Sequence, residues 1–364
     1  MKYEPNRIKV DFGSYRHYWR GVKKIGKSTM FRDIVKEQYG HTRFGLLIST
    51  GNETGYKALD DVYAHETPTW KSLVETIDDL VKNKTDNEFK VVGIDTIDEM
   101  VAMAMQEALD VHKQRTGKKA KSINDALGGY GAGKKYIDKI INEQITRIER
   151  AGYGLVFIGH CKLRDVKEKG ESEPYQILTS SLDANYDNIF ADKADIIATF
   201  ITDKIVKDNK ITSKDRFIVF RDDGYIDSGS RLAGMPDRVP MTAKDYLKAF
   251  HEGVRASKNT FATDEDLEEM RKIEVSQREQ QSQEFIAQAK DEKDENNLTE
   301  EEEEALIPMD ELRPMLNKRC SELGGTKNQL LMATLTRFAD GGNFNKIKDI
   351  KTLNDLWEAV EALN

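Results

Sequence analysis

The apolar positions of this chain change period several times, and each change marks an element. Phe44-Gly45-Leu46-Leu47-Ile48 is a short, continuous apolar run. Trp70, Leu73, Val74, Ile77, Leu80 and Val81 then recur at i, i+3, i+4, i+7 behind Thr69 as N-cap, which predicts an amphipathic helix. Val91-Val92-Gly93-Ile94 reads as the next strand. Tyr136, Ile137, Ile140, Ile141, Ile145 and Ile148 form one helical stripe closed by Gly152, and Leu155-Val156-Phe157-Ile158 follows as a buried strand. Short apolar strands alternating with amphipathic helices are what a mainly parallel sheet covered on both faces requires. Segments 196–201, 204–206 and 217–220 are rich in β-formers with short polar breaks, which suits antiparallel strands at the sheet's end. The expected class is α/β, with no internal repeat.

This pattern stops near residue 260. Residues 261–310 hold five Lys/Arg against eighteen Asp/Glu, a net −13 in a chain whose total is −8, so the remainder is +5. Few apolar residues interrupt the stretch, so it buries little surface against the entropy of ordering. The expectation is an acidic linker over 261–306, disordered or a solvated helix; the alternative is one long polar helix packed on the first domain. Beyond it, Leu312, Met315, Leu316 and Leu323 follow Pro308 at helical spacing and stop at Gly324-Gly325. Leu330, Leu331, Leu335 and Phe338 form a second stripe; Leu353, Leu356, Trp357, Val360 and Leu363 form a third. The domains expected are therefore 1–260 (α/β), 261–306 (linker) and 307–364 (a small all-α bundle of adaptor type).

Composition narrows the setting. The 364 residues suit about two globular units, and the 38% apolar fraction is ordinary. No uncharged apolar run approaches the roughly 20 residues of a bilayer span, and Met1-Lys2-Tyr3-Glu4-Pro5 lacks the apolar core of a signal peptide. Cys161 and Cys320 are the only cysteines, which excludes a Cys-rich zinc cluster and points to a reducing, cytoplasmic compartment.

Gly21-Val22-Lys23-Lys24-Ile25-Gly26-Lys27-Ser28 fits G-x-x-x-x-G-K-[ST]. Glycines let such a loop wrap closely enough for its amides to face phosphate oxygens. Lys27 reaches the terminal phosphates, and the Ser28 hydroxyl takes a place on Mg²⁺. Thr29 and the residues after it read as the helix whose N-terminus adds positive potential. Val91-Val92-Gly93-Ile94 ends in Asp95, which places a carboxylate at the carboxyl edge of the sheet to hold the Mg²⁺ water shell; capping of the following helix is the alternative role. Together these imply a nucleoside triphosphate with Mg²⁺. The strand entering the loop, Tyr15-Arg16-His17-Tyr18-Trp19-Arg20, is unusually polar, so one face is expected to be polar or covered by charge.

The layout resembles the phage-encoded RecA/RadA-like, AAA-type nucleotide-binding proteins, some of which are recombination or single-strand-annealing ATPases. The likeness spans roughly residues 10 to 250. It rests on the loop at 21–28, the strand and acidic turn at 46–53, Ile94-Asp95-Thr96, Gly128-Gly129-Tyr130-Gly131, Ile158-Gly159-His160-Cys161-Lys162 and Ser230-Arg231-Leu232-Ala233-Gly234. The resemblance implies that Glu53 activates the attacking water, although the family's acid stands directly at the strand end. An ordinary surface acid is the other reading. His160 would sense the γ-phosphate, or simply cap a buried strand. Arg231 would reach a neighbour's nucleotide as an arginine finger, with Ser230 where the family has Asn.

Two basic clusters are candidates for nucleic acid: Lys118, Lys119 and Lys121, with Lys113 and Arg115 before them, and Lys162, Arg164, Lys167 and Lys169. Either is otherwise a solvated basic face. Tyr130 is a stacking surface or a core tyrosine. Several such charges per protomer, repeated along an oligomer, give salt-sensitive backbone binding. The first functional expectation is a DNA-stimulated ATPase acting on single-stranded DNA as a homo-oligomeric ring or filament, with the C-terminal bundle free to recruit a single-strand-binding or other replication protein. The others are a nucleotide-gated binding module with little hydrolysis, a helicase or its loader, and a small-molecule kinase. No membrane partner is expected.

Overall fold

The computed structural model describes residues 5–167, 173–207, 210–258, 262–296, 307–325, 328–339, 342–347 and 350–363. The chain divides into two compact units, Met1–Ala287 and Gln288–Asn364.

The first unit is built on a ten-stranded sheet in the order β10-β8-β7-β1-β5-β4-β2-β3. Strands β1 (Arg16–Gly21), β2 (Gly45–Thr50), β3 (Ala64–Thr67), β4 (Val91–Asp95), β5 (Gly154–Val166) and β7 (Ile196–Lys207) pair in parallel. The others are antiparallel: β6 (Tyr175–Ser180) on β5, β8 (Lys210–Val219) and β9 (Gly229–Ser230) on β7, and β10 (Arg238–Pro240) on β8.

Successive strand residues go to opposite faces. Tyr18, Ile48, Val92, Ile94, Leu155 and Phe157 meet α2 (Trp70–Lys82), α3 (Ile97–Thr116), α4 (Ala132–Arg150) and α5 (Ala184–Ala191). Trp19, Leu47, Val91, Val156, Ile158 and Phe200 meet α1 (Lys27–Tyr39) and α6 (Ala243–Lys258). This is the expected α/β class with a RecA-like core. Among the described residues no helix is long and apolar enough to cross a membrane.

The polar entry strand finds charged cover, as expected. Arg16 pairs with Glu149 of α4. Arg20, 1% exposed, donates to the Asp227 carboxylate at 2.9 Å and to its carbonyl at 2.7 Å.

The linker expectation needs correction. Residues 264–296 form one helix, α7 (Asp264–Asn296), and its first two-thirds are docked rather than solvated. Glu274 accepts from the Val10 amide at 2.7 Å and from the Ser14 hydroxyl. Arg278 pairs with the fully buried Asp11 at 2.8 Å, and Ser282 donates to the Ala151 carbonyl at 2.6 Å. Leu267, Val275 and Ile286 are buried with them. A few well-placed polar bonds and three apolar residues do what overall composition argued against. Residues 297–306 lie outside the described set.

The second unit contains α8 (Met309–Glu322), α9 (Gln329–Phe338) and α10 (Ile350–Glu361). Leu312, Leu316, Leu331, Leu335, Leu353, Leu356 and Val360 form its core. Asn354 closes it by bonding both the amide and the carbonyl of Ile307.

Candidate nucleotide site

Strand β1 ends at Gly21, in register with His160 of β5 and Phe200 of β7, so the loop leaves the carboxyl edge at the centre of the sheet. Ligands of open α/β sheets bind at this edge. Ile25 is buried and pegs the loop down, while Val22, Lys23 and Lys24 are exposed. Lys24 (φ 63°) and Gly26 (φ 109°) both take left-handed conformations, which turns the chain into the first turn of α1.

Lys27 is 6% exposed and bends back over the loop, donating to the carbonyls of Gly21 (2.9 Å) and Val22 (3.2 Å). Its ammonium also lies 3.4 Å from Nδ1 of His160. Burial lowers the Lys27 pKa, opposed chiefly by the charge of Asp95. The Ser28 hydroxyl donates to Asp95 Oδ2 at 2.6 Å. Burial pushes the Asp95 carboxyl up to about 6, against the pull of that hydrogen bond. Asp95 is joined to Thr96 by a cis peptide bond, and Thr96, not Asp95, caps α3 by accepting from the Glu99 amide. The capping alternative for Asp95 is thereby removed.

Glu53 stands three residues beyond the end of β2, half-buried, and its charge acts on Lys27, Asp95 and His160. One of its oxygens accepts from the amides of Thr54 and Gly55. Burial and, after it, the neighbouring Lys27 lower the His160 pKa. What fixes His160 is a residue that sequence reasoning missed. Asp98 accepts from its amide at 3.0 Å, and from the Ser181 hydroxyl through its other oxygen. Asp98 stands in the first turn of α3, directly after the Thr96 cap.

Lys27, Ser28, Asp95, His160 and Glu53 thus converge. Ser28 and Asp95 are hydrogen-bonded to each other, the adjacency needed if Ser28 is to hold Mg²⁺ directly and Asp95 through water. Bound there, Mg²⁺ would neutralise developing phosphate charge.

Arg231 is not part of this cluster. Strand β9 pairs with the first residues of β7, Ile196 and Ile197, whereas the loop meets Phe200. At ~3.3 Å per residue, Arg231 is more than ~10 Å down the sheet. It bonds to Asp195 and to the Asp192 carbonyl.

The basic clusters separate as well. Strand β5 runs on past His160 into a hairpin with β6, so Lys162 and Lys167 project from the site's own edge. Arg164 is partly spent on the Leu182 carbonyl. Lys169 lies outside the described residues. Lys118, Lys119 and Lys121 are exposed just beyond the far end of α3, a helix about 30 Å long that begins beside Asp95. Tyr130 is fully exposed with φ 48°, so it is no core residue.

A phosphate loop at the carboxyl edge of a RecA-like sheet, faced by a strand-terminal aspartate, defines a P-loop nucleotide-binding protein. The sequence profile of the AAA domain family matches residues 14–232, well over half of the chain, and the protein belongs to that family of nucleotide-binding ATPases. A search of curated proteins returns no match.

Proposed function

We propose that the protein is a Mg²⁺-dependent, DNA-stimulated ATPase that binds single-stranded DNA in recombination or annealing. One observation supports this above others: His160, which touches Lys27, begins the segment of β5 that leaves the sheet as a hairpin bearing Lys162, Arg164 and Lys167. A ligand that draws the Lys27 ammonium onto phosphate changes what His160 faces, and the hairpin is its direct continuation. Exposed lysines on that hairpin suit a phosphodiester backbone. In a ring or filament of copies, Arg231 would serve a neighbour's nucleotide after exchanging Asp195 for phosphate. The test is ATP turnover with and without single-stranded DNA, for wild type and Lys27→Ala. Acceleration by DNA, falling with salt and lost in the variant, is expected. Turnover indifferent to DNA refutes the DNA role, and turnover indifferent to Lys27→Ala refutes the site.

A second reading, a nucleotide-gated binding module with little hydrolysis, is favoured by the Glu53 oxygen that its own turn already occupies.

A further inference from the structure

We propose that the nucleoside end of the nucleotide lies in the cavity on the other side of α1 from Asp95, with Arg216 gripping the phosphate nearest the sugar and Met241 packing on the base. The inference rests on the phosphate-loop reading and assigns the part of the ligand that the loop itself does not hold.

The direction of the ligand follows from the helix. Successive helical residues diverge by about 100°. Ser28 faces Asp95, and Lys27 reaches towards His160, so the terminal phosphate lies over β4 and β5. Thr29, the next residue, and Asp33, one turn on, instead line a cavity of about 300 Å³ with Gly26, Arg216, Met241 and Thr242. A chain of phosphates laid along the loop with its last phosphate at Asp95 therefore delivers its sugar to this cavity.

The wall of the cavity is set at the loop itself. A Cβ placed on Gly26 would stand 3.1 Å from the Met241 methyl and 3.7 Å from a guanidinium nitrogen of Arg216. The two residues are held side by side, because the Met241 amide donates to the Arg216 carbonyl at 3.0 Å. Arg216 lies on β8, and Met241 follows β10 directly. The arginines that flank Arg216 on this edge of the sheet are neutralised: Arg221 pairs with Asp237 and Arg238 with Asp203. Among the described residues the Arg216 side chain has no such partner. An unpaired guanidinium beside the helix N-terminus matches a phosphate, which it binds with a fork of donors. A thioether is polarizable and adapts to the flat face of a purine.

Calorimetric titration of the full chain with Mg-ATP and with inorganic tripolyphosphate tests this. Arg216→Ala is expected to weaken ATP by about ten- to a hundredfold, and Arg216→Lys to recover part of the loss. Met241→Ala is expected to weaken ATP by about three- to tenfold while leaving tripolyphosphate unchanged. Wild-type ATP affinity in both alanine variants, with binding abolished by Lys27→Ala, overturns this assignment and leaves the loop reading intact. Equal losses for ATP and tripolyphosphate in Met241→Ala also overturn it. Undiminished binding by Lys27→Ala instead brings down the loop reading itself.

Discussion

Replacing Asp95 by asparagine tests whether this edge of the sheet is shaped for a cationic ligand at the expense of the nucleotide-free fold. Asp95 is 4% exposed, and burial raises its carboxyl from an ordinary 3.8 to about 6 even though Ser28 donates to it. Well below pH 3.8 the group is neutral in both the folded and unfolded chain, and it costs nothing. As pH rises through about 6, the folded state must ionise a carboxyl that the unfolded chain ionises more readily, so stability is lost across that window. The difference between 3.8 and about 6 amounts to about 3 kcal/mol at neutral pH. The attraction of Lys27 is already contained in it, since Lys27 helps to set the value. Asparagine keeps an acceptor for Ser28 and carries no charge. Asp95→Asn is therefore expected to match wild type at pH ~3 and to exceed it by about 3 kcal/mol at pH 7. Denaturant unfolding of the nucleotide-free proteins across this range measures the difference, in which carboxylates that do not interact with Asp95 cancel. Saturating Mg-ATP should reverse the order, because only a protein that binds it gains stability from it. A variant no more stable than wild type at pH 7, or a difference independent of pH, refutes the reasoning.

Arg278→Ala should cost about 3 kcal/mol by leaving the Asp11 carboxylate buried and unpaired, with Arg278→Lys intermediate; equal unfolding midpoints would show that α7 is not held by this pair. Glu53→Gln should retain ATP binding and lower turnover by about a hundredfold or more, as expected for loss of a general base. Unchanged turnover would favour the gated-module reading.

The phosphate loop and Asp95 were legible in the sequence because each is specified by adjacent residues: eight in a row for the loop, an apolar run with a terminal acid for the strand. Helices α2 and α4 were legible for a similar reason, since burial of one face imposes a period of 3.6. What escaped depends on partners far away in the chain. Glu274 and Arg278 read as solvated charges until Val10, Asp11 and Ser14, some 260 residues earlier, come to meet them. Strand β6 alternates little, because it packs on β5 beyond the covered part of the sheet. Asp98 and Arg216 carry no local signature either. Their significance arises from what the fold sets beside them, His160 and Ser181 for one, Gly26 and Met241 for the other.

The charged entry strand takes on a purpose in this light. A buried arginine immediately before a phosphate loop is an expensive choice where an apolar residue would fit. Arg20 holds Asp227, and Asp227 in turn accepts from the Thr179 hydroxyl of β6 at 2.7 Å. Thr179 lies opposite Lys162 in the hairpin. The outgoing arm is tied to the loop through Lys27 and His160, with Asp98 bracing His160 and Ser181 at the hairpin's base. Both arms are therefore fastened to the phosphate loop by charged and polar contacts rather than by apolar packing. Apolar packing is indifferent to a nearby phosphate, whereas these contacts share the field of Lys27 and Asp95 and respond to any charge placed between them. Under the proposed function, charge on the nucleotide would be the input to the hairpin, and its exposed lysines the output.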